Sequence, residues 1–262
     1  MPRRPWRRWL APATWLPLVI MLVILGLAWQ GGARKWPFLL PPLPSVGTSL
    51  ASNATYYLKN AGITLGEAIA GLAIGLAVAS ALAVLVSEVP AARRAIMPVA
   101  VVLNVTPLVA IAPALVVAFG FGPAPKLVIT ALICFFPILI NTATGLRSVP
   151  RQILQVYQSI DASRLEVLRY LRIPSALPYI FAALRIVFPL SVIGAVVAEL
   201  SAAGSAGGLG TVISTASSMN QLAVVYAAIF VLAVMGAGLL LLVTIVERRA
   251  LRWHESQEGS KE

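Results

Sequence analysis

Two uninterrupted apolar stretches decide what kind of fold this chain can adopt: AIAGLAIGLAVASALAVLV at residues 68–86 and LAVVYAAIFVLAVMGAGLLLLVTIV at residues 222–246. A helix of about 20 apolar residues crosses a hydrocarbon core about 30 Å thick. Lipid-exposed backbone must also satisfy its own hydrogen bonds, which a helix does within one segment. The strands of a membrane barrel alternate apolar and polar residues, and these stretches do not alternate. Both stretches are therefore predicted to be membrane-spanning helices.

The composition of the whole chain suits lipid better than water as a solvent. Of the 262 residues, 59% are hydrophobic and 11% are charged, whereas soluble domains carry about 25% charged residues. Six spans are predicted, at residues 13–30, 60–87, 95–121, 126–146, 176–199 and 222–246. The predicted fold class is an all-α membrane protein with about six transmembrane helices.

The predicted spans divide the chain into four segments. These are a basic N-terminal segment with the first span at 1–35, an external Pro-rich connector at 36–58, a core of five spans at 59–246, and a charged tail at 247–262. The first apolar run is longer than the apolar region of a typical signal peptide, so we expect it to be retained as a helix.

The basic residues predict the orientation. Fifteen Lys and Arg fall on the side that holds both termini, four fall on the other side, and Arg185 lies within a span. Cytoplasmic loops carry the excess of Lys and Arg, so both termini are predicted to be cytoplasmic. This excess accounts for the net charge of +11 without a nucleic-acid partner.

One long loop on that side has its own pattern: RSVPRQILQVYQSIDASRLEVLRYLRIPSALPYI, residues 147–180. Apolar residues recur at helical spacing up to Ile160, and Asp161 breaks the pattern. Ser163 and Glu166 then form a capping box for a new helix, which Pro174 is expected to stop or kink. The loop is predicted to be a helix–turn–helix, either an interfacial connector or a docking element for a cytoplasmic partner.

This loop resembles the signature loop of permease subunits of bacterial ATP-binding-cassette (ABC) importers. That signature runs Glu-Ala-Ala, three residues, Gly, nine residues, Ile, one residue and Leu-Pro. Gln155-Val156-Tyr157 stands at Glu-Ala-Ala, Asp161 at Gly, Leu171 at Ile and Ile173-Pro174 at Leu-Pro. The spacing matches, but only the proline is identical. Asp is one of the few residues that can adopt the left-handed backbone that Gly favours.

The resemblance extends over the chain after about residue 36. It includes FLLPPLPSV at 38–46, TLGEAIAGLAIG at 64–75, NVTPLVAIAPALVVAFGFGPAPK at 104–126 and AVVAELSAAGSAGGLGTVI at 195–213. These stretches are similar to the nitrate, sulfonate, taurine and bicarbonate permeases, whose relatives import pyrimidine or riboflavin vitamin precursors.

The resemblance implies a type I ABC importer permease fold in the bacterial inner membrane. It implies two permease subunits, expected as a homodimer, over two cytoplasmic ATP-binding subunits, and an external substrate-binding protein. Loop 150–174 would be the coupling loop that docks on the ATPase, with Ala162, Ser163 and Arg164 at its tip, and Gln155, Tyr157, Asp161 and Pro174 as further coupling residues. The chain lacks G-x-x-x-x-G-K-[ST], so no ATP site of its own is predicted.

Polar residues within or beside the spans are candidates for the translocation pathway: Glu67, Asn104, Thr106, Asn141 and Arg185. A charge in lipid costs at least about 2.5 kcal/mol, so such residues usually face protein or water. For Glu67 and Arg185, pathway lining, mutual pairing and an interfacial position stay open. For the Asn and Thr side chains the alternative is to hold helices together.

Two further features of the spans carry predictions. Pro107 and Pro113, together with Pro98, are expected to interrupt the third span. Glu199, Gly207 and Gly208 border a Gly-rich external loop and are predicted to contact the binding protein.

Two other classes of function are compatible with a multi-span protein. A secondary transporter would usually carry an inverted repeat and ionisable groups at the membrane middle, and a membrane-embedded enzyme would need clustered His, Asp or Glu. A single His and scattered acids favour neither class. No catalytic residue, metal site or cofactor is predicted, and the mostly apolar pathway favours the vitamin-precursor branch.

Overall fold

The computed structural model describes residues 12–201 and 207–251, and these residues fold into helices. The helices are α1 Pro12–Lys35, α2 Leu43–Ser52, α3 Ala54–Glu88, α4 Pro90–Val105, α5 Leu108–Phe119, α6 Pro123–Leu146, α7 Arg151–Ser159, α8 Arg164–Val167, α9 Ile173–Ser201, α10 Leu209–Ser218 and α11 Leu222–Ala250. A π-helical turn, Leu168–Arg172, joins α8 to α9. Most of the basic N-terminal segment and of the charged tail lie outside the described residues.

The helices confirm an all-α membrane protein with about six spans. Five continuous helical segments in the described part of the chain are long and apolar enough to cross a membrane, and α4 with α5 forms a sixth, bent span. Helix α3 begins at Ala54, before the predicted start of its span. The predicted connector 36–58 therefore contains α2 and the first turn of α3.

The third span is broken at a single proline. Thr106 and Pro107 both have extended backbone, with ψ of 129° and 96°. For Thr106 the reason is that a residue that precedes proline avoids the helical region. The axes of α4 and α5 bend by 99° at this point. Pro98 and Pro113 lie inside α4 and α5, so the predicted opening of the helix at these two positions is wrong.

Helices α3, α6 and α9 pack together as the centre of the molecule, and small residues let their backbones approach closely. A Cβ added at Gly75 of α3 would lie 2.9 Å from the carbonyl oxygen of Ala131 in α6. One added at Gly145 of α6 would lie 2.9 Å from the Cα of Ala176 in α9. Apolar burial between helices gains little in lipid, so such close packing is what holds helices together.

Candidate functional site

Loop 150–174 turns at Asp161. This residue has φ of +51°, the left-handed conformation expected at the position where the signature has glycine. The turn closes with hydrogen bonds from Asp161 N to Gln158 O at 3.1 Å and from Ala162 N to Tyr157 O at 3.0 Å. The structure confirms a helix–turn–helix, formed by α7 and α8.

The capping box predicted after the turn is also present. The backbone N–H of Ser163 donates to Glu166 Oε2 at 2.7 Å, and the N–H of Glu166 donates to Ser163 Oγ at 3.3 Å. Ser163 and Arg164 are exposed, and Ala162 is half-buried. The tip is thus a rigid, accessible knob whose conformation is set by its own residues.

One face of α7 is apolar and uncovered in the single chain. Ile153, Val156 and Ile160 are 43%, 60% and 69% exposed, while Gln155 is exposed and Tyr157 half-buried. An apolar face of this kind rests on another surface, either lipid or a partner.

The loop is attached to two spans. Arg172 Nη1 lies 2.5 Å from Glu88 Oε1 at the end of α3, and Leu168 packs against the core formed by α3, α6 and α9. Of the two outcomes predicted for Pro174, a stop is wrong, because the helical segment continues from Arg164 to Ser201. A π-helical turn at Leu168–Arg172 comes directly before Ile173 and Pro174, and such a turn accommodates an interruption of the regular helical hydrogen bonds. The loop therefore runs directly into α9 and is also tied to α3.

The charged residues of the spans pair in a way the sequence did not predict. Glu67 does not pair with Arg185: Lys126 Nζ lies 2.7 Å from Glu67 Oε1, and Arg185 forms an ion pair with Glu247. Lys126, at the predicted start of the fourth span, is only 3% exposed. Its ammonium also donates to the carbonyl oxygen of Gly207 at 3.5 Å. A partner 59 residues away leaves no local signal in the sequence.

A second buried carboxylate holds the N-terminus of α10. Glu199 is fully buried, and its two oxygens accept hydrogen bonds from Gly210 N and from Thr64 Oγ1, the latter at 2.7 Å. Thr64 Oγ1 in turn accepts from Leu209 N at 2.8 Å. The first N–H groups of a helix lack intrahelical partners and favour an anion, which Glu199 supplies from α9. Its burial does not fit the prediction that Glu199 contacts a binding protein.

Two glycines shape the loop that precedes α10. Gly207 and Gly208 have φ of +102° and +113°, values that side chains disfavour. Gly208 N donates to Asn60 Oδ1 at 2.9 Å, and a Cβ at Gly208 would lie 2.2 Å from Glu199 Oε1. Gly208 is buried and Gly207 half-buried, so only Gly207 presents surface to a partner here. Residues 202–206, the rest of the Gly-rich stretch, lie outside the described residues.

The other pathway candidates do not lie with the hydrogen-bonded residues around Glu67, Lys126 and Glu199. Asn104 is exposed on α4, Thr106 lies at the break of the third span, and Arg185 is half-exposed. Thr106 Oγ1 donates to Val102 O, and Asn141 Nδ2 donates to Pro137 O, each at 2.7 Å. These two side chains bond to their own helices, so they do not bridge helices, and their place on the pathway stays a prediction.

Known proteins resemble the chain along most of its length. Residues 71–252 match the family model described as binding-protein-dependent transport system inner membrane component. The riboflavin transport system permease protein RibX of Chloroflexus aurantiacus is 32% identical, over 94% of this chain and 92% of that protein. The formylaminopyrimidine transport permease protein ThiX of Halalkalibacterium halodurans is 30% identical, over 91% and 96%.

A solved structure shares the fold. The inward-facing MetNI methionine ABC transporter matches with a TM-score of 0.64, covering 76% of this chain and 96% of that chain at 17% identity. At this level of identity the likeness concerns the fold, and it confirms the fold predicted from the sequence.

Proposed function

The chain belongs to the family of binding-protein-dependent transport system inner membrane components, and we propose that loop 150–174 is the element through which it is driven by ATP. The chain is the permease component of an ABC importer and a multi-pass protein of the inner membrane. Such a permease works with an ATP-binding subunit and a substrate-binding protein. The absence of G-x-x-x-x-G-K-[ST] from the sequence supports placing ATP hydrolysis on the partner alone.

One observation carries the assignment of the coupling loop. An exposed tip at 162–164 is connected without a flexible joint to α9 and through the Arg172–Glu88 pair to α3. A partner that moves the tip therefore moves two spans that pack against the same helix, α6. Gln155, Tyr157 and Asp161 lie on the flanking helix and its turn, where they would line the contact.

The same geometry supports a homodimeric assembly. We assign both termini and the coupling loop to the cytoplasm, because that side carries the excess of Lys and Arg. One copy of the chain engages one ATP-binding subunit through one loop, so a homodimer would engage two. Exposed apolar side chains of α4 and α5, among them Val105 at 71% and Val117 at 88%, are suited to face the second copy or lipid.

On the opposite side, the Gly207 loop would receive the binding protein. The buried carboxylates of Glu199 and Glu67 and the ammonium of Lys126 tie this loop to α3, α6 and α9, the helices that the coupling loop would move. Each partner can then bias the same helix packing, which is what coupling between two sites requires.

For the substrate we propose a small heteroaromatic vitamin precursor. In the described part of the chain, two cations inside the spans are held by carboxylates, Lys126 by Glu67 and Arg185 by Glu247, which makes these two groups less available to a sulfonate or bicarbonate. The riboflavin and formylaminopyrimidine permeases are similar over nine-tenths of this chain, in accord with such a substrate.

Co-purification with the ATP-binding subunit tests the coupling loop. Ala162→Arg and Ser163→Arg add a long charged side chain at the tip, and each is expected to abolish capture of the ATPase. Ala250→Arg is the matched control, since it adds the same side chain at an exposed position of α11. Equal capture by the tip variants and the control, with all proteins folded, would exclude loop 150–174 as the docking element.

Uptake into proteoliposomes that contain permease, ATPase and binding protein tests the substrate class. Riboflavin or a formylaminopyrimidine is expected to be accumulated or to compete, whereas taurine, alkanesulfonates and bicarbonate are expected not to compete. Competition by a sulfonate alone would contradict the assignment and leave the importer function intact.

A further inference from the structure

Two adjoining cavities lie where α3 ends, α4 begins and α6 ends. Their volumes are about 440 Å³ and about 400 Å³, and they share the residues Val86, Arg93, Met97 and Arg147. Arg94 lines the first cavity. Three guanidinium groups thus surround a pair of connected clefts beside the coupling loop.

The positive charge of these clefts is not compensated within the described part of the chain. No carboxylate of residues 12–201 or 207–251 lies within 4.0 Å of Arg93, Arg94 or Arg147. The acid nearest in sequence to the first two, Glu88, is engaged by Arg172. Arg93 and Arg94 also stand in the first turn of α4, where the helix dipole adds further positive potential. Such an arrangement is stabilised by an anion.

Apart from the guanidinium groups and the hydroxyls of Ser87, Thr144 and Ser148, the walls of the clefts are apolar. Met97 and Pro98 line the first cleft, and Ile140, Ala143 and Tyr179 line the second. The adjoining face of α4 is apolar and open, with Val99 59% and Val102 61% exposed. A ligand that fills the site would therefore combine a negative head with an apolar body.

We propose that these clefts bind the phosphate headgroup of an anionic phospholipid of the cytoplasmic leaflet. Guanidinium groups pair with phosphate oxygens in a bidentate geometry, and basic pockets between membrane helices on the cytoplasmic side suit anionic headgroups. The acyl chains would lie along the apolar face of α4. Inorganic phosphate has no apolar part that could contact the apolar walls, so the lipid is the favoured source of the anion. The inference goes beyond the proposed function and shares with it only the assignment of this side to the cytoplasm.

Calorimetric titration of the purified permease–ATPase complex tests the site. The probes are dioctanoyl phosphatidylglycerol, dioctanoyl phosphatidylcholine and inorganic phosphate. Wild type is expected to bind the first with saturation at one per permease chain and to show no saturable binding of the second. Arg93→Gln with Arg147→Gln is expected to weaken binding about 25-fold, from about fivefold per removed surface charge, the equivalent of about 1 kcal/mol each.

Two variants keep this result interpretable. Arg248→Gln with Arg249→Gln removes the same number of charges from exposed positions of α11, outside the clefts, and is expected to bind like wild type. Arg93→Lys with Arg147→Lys keeps the charge and is expected to retain the preference for phosphatidylglycerol at lower affinity. Retained ATPase capture shows that each variant is assembled, independently of lipid binding.

Three results would overturn the proposal. Equal binding of the two lipids would show that the site does not recognise the negative charge of the phosphatidylglycerol headgroup. Inorganic phosphate that binds as tightly as phosphatidylglycerol would make the clefts a free-anion site. Equal loss of binding in the α11 variant, Arg248→Gln with Arg249→Gln, and in the cleft variant, Arg93→Gln with Arg147→Gln, would assign the effect to diffuse surface charge.

Discussion

Replacement of Gly208 by alanine is expected to disrupt the network at the start of α10. At φ of +113° a side chain introduces backbone strain of about 1–3 kcal/mol. The added Cβ would lie 2.2 Å from Glu199 Oε1, and that carboxylate is buried and hydrogen-bonded to Thr64 and Gly210. Loss of one hydrogen bond to a charged group costs about 1.5–3 kcal/mol. Together these effects predict a destabilisation of about 3–5 kcal/mol.

Thermal unfolding of the purified full chain, followed by tryptophan fluorescence, measures this effect. A domain of this size loses about 2–4 °C of melting temperature per kcal/mol, so Gly208→Ala is expected to melt at least about 6 °C below wild type. Gly236→Ala is the matched control, because an added Cβ there meets no atom within 4 Å and α11 continues through it. Its melting temperature should be unchanged or slightly higher, since alanine favours a helix over glycine.

The reasoning would be refuted if Gly208→Ala melted within about 2 °C of Gly236→Ala, a difference of no more than about 1 kcal/mol. Such a result would mean that the Gly207 loop and Glu199 can rearrange at little cost. The loop would then be too compliant to transmit the docking of a binding protein to the spans.

Three further variants test the other contacts. Glu199→Gln replaces the charged acceptor of the Gly210 N–H and the Thr64 hydroxyl by a neutral amide and is expected to cost about 1–3 kcal/mol in thermal unfolding. Glu166→Gln should leave the melting temperature nearly unchanged, because Gln also serves in a capping box. Equal melting of the two variants would contradict this. Lys126→Glu places a second carboxylate beside that of Glu67 and should cost about 3–5 kcal/mol of stability. Most of that stability should return when Glu67→Lys is added in the same chain. No recovery would argue against the ion pair. Arg172→Gln removes a half-exposed ion pair that contributes about 0–1 kcal/mol, so the melting temperature and the capture of the ATPase should stay unchanged. The amount of substrate taken up per ATP hydrolysed is expected to fall severalfold. An unchanged ratio would exclude this pair from coupling.

The turn of loop 150–174 shows how far local sequence determines structure. Asp161 adopts the left-handed backbone, and Ser163 and Glu166 form their capping box, because each of these features depends on hydrogen bonds between residues at most five apart. The six spans follow for a similar reason, since hydrophobic length is a property of a contiguous segment. Both could be predicted without any tertiary information.

Prediction from the sequence failed where a side chain's partner is distant along the chain, or where the surrounding helices determine the local conformation. The sequence contains nothing that pairs Glu67 with Lys126 rather than with Arg185, or that buries Glu199. Likewise, the sequence does not distinguish the three prolines of the third span, Pro98, Pro107 and Pro113, yet among them only Pro107 breaks a helix. Proline inside a membrane helix is tolerated where neighbours satisfy the freed carbonyl, and neighbours are a tertiary property.

By itself, the sequence determined that this chain is a multi-span helical membrane protein with a helix–turn–helix between its fourth and fifth spans, because apolar length and capping patterns act over short distances along the chain. Only the tertiary structure decided which charges neutralise each other, why Gly208 has no room for a side chain, and how loop 150–174 is tied to two spans. The Lys126–Glu67, Arg172–Glu88 and Gly208–Asn60 contacts join residues 59, 84 and 148 positions apart, and only the packing of the helices brings such residues within hydrogen-bonding distance. The contact between Gly208 and Glu199 is shorter along the chain, but it too depends on how the loop folds back onto α9.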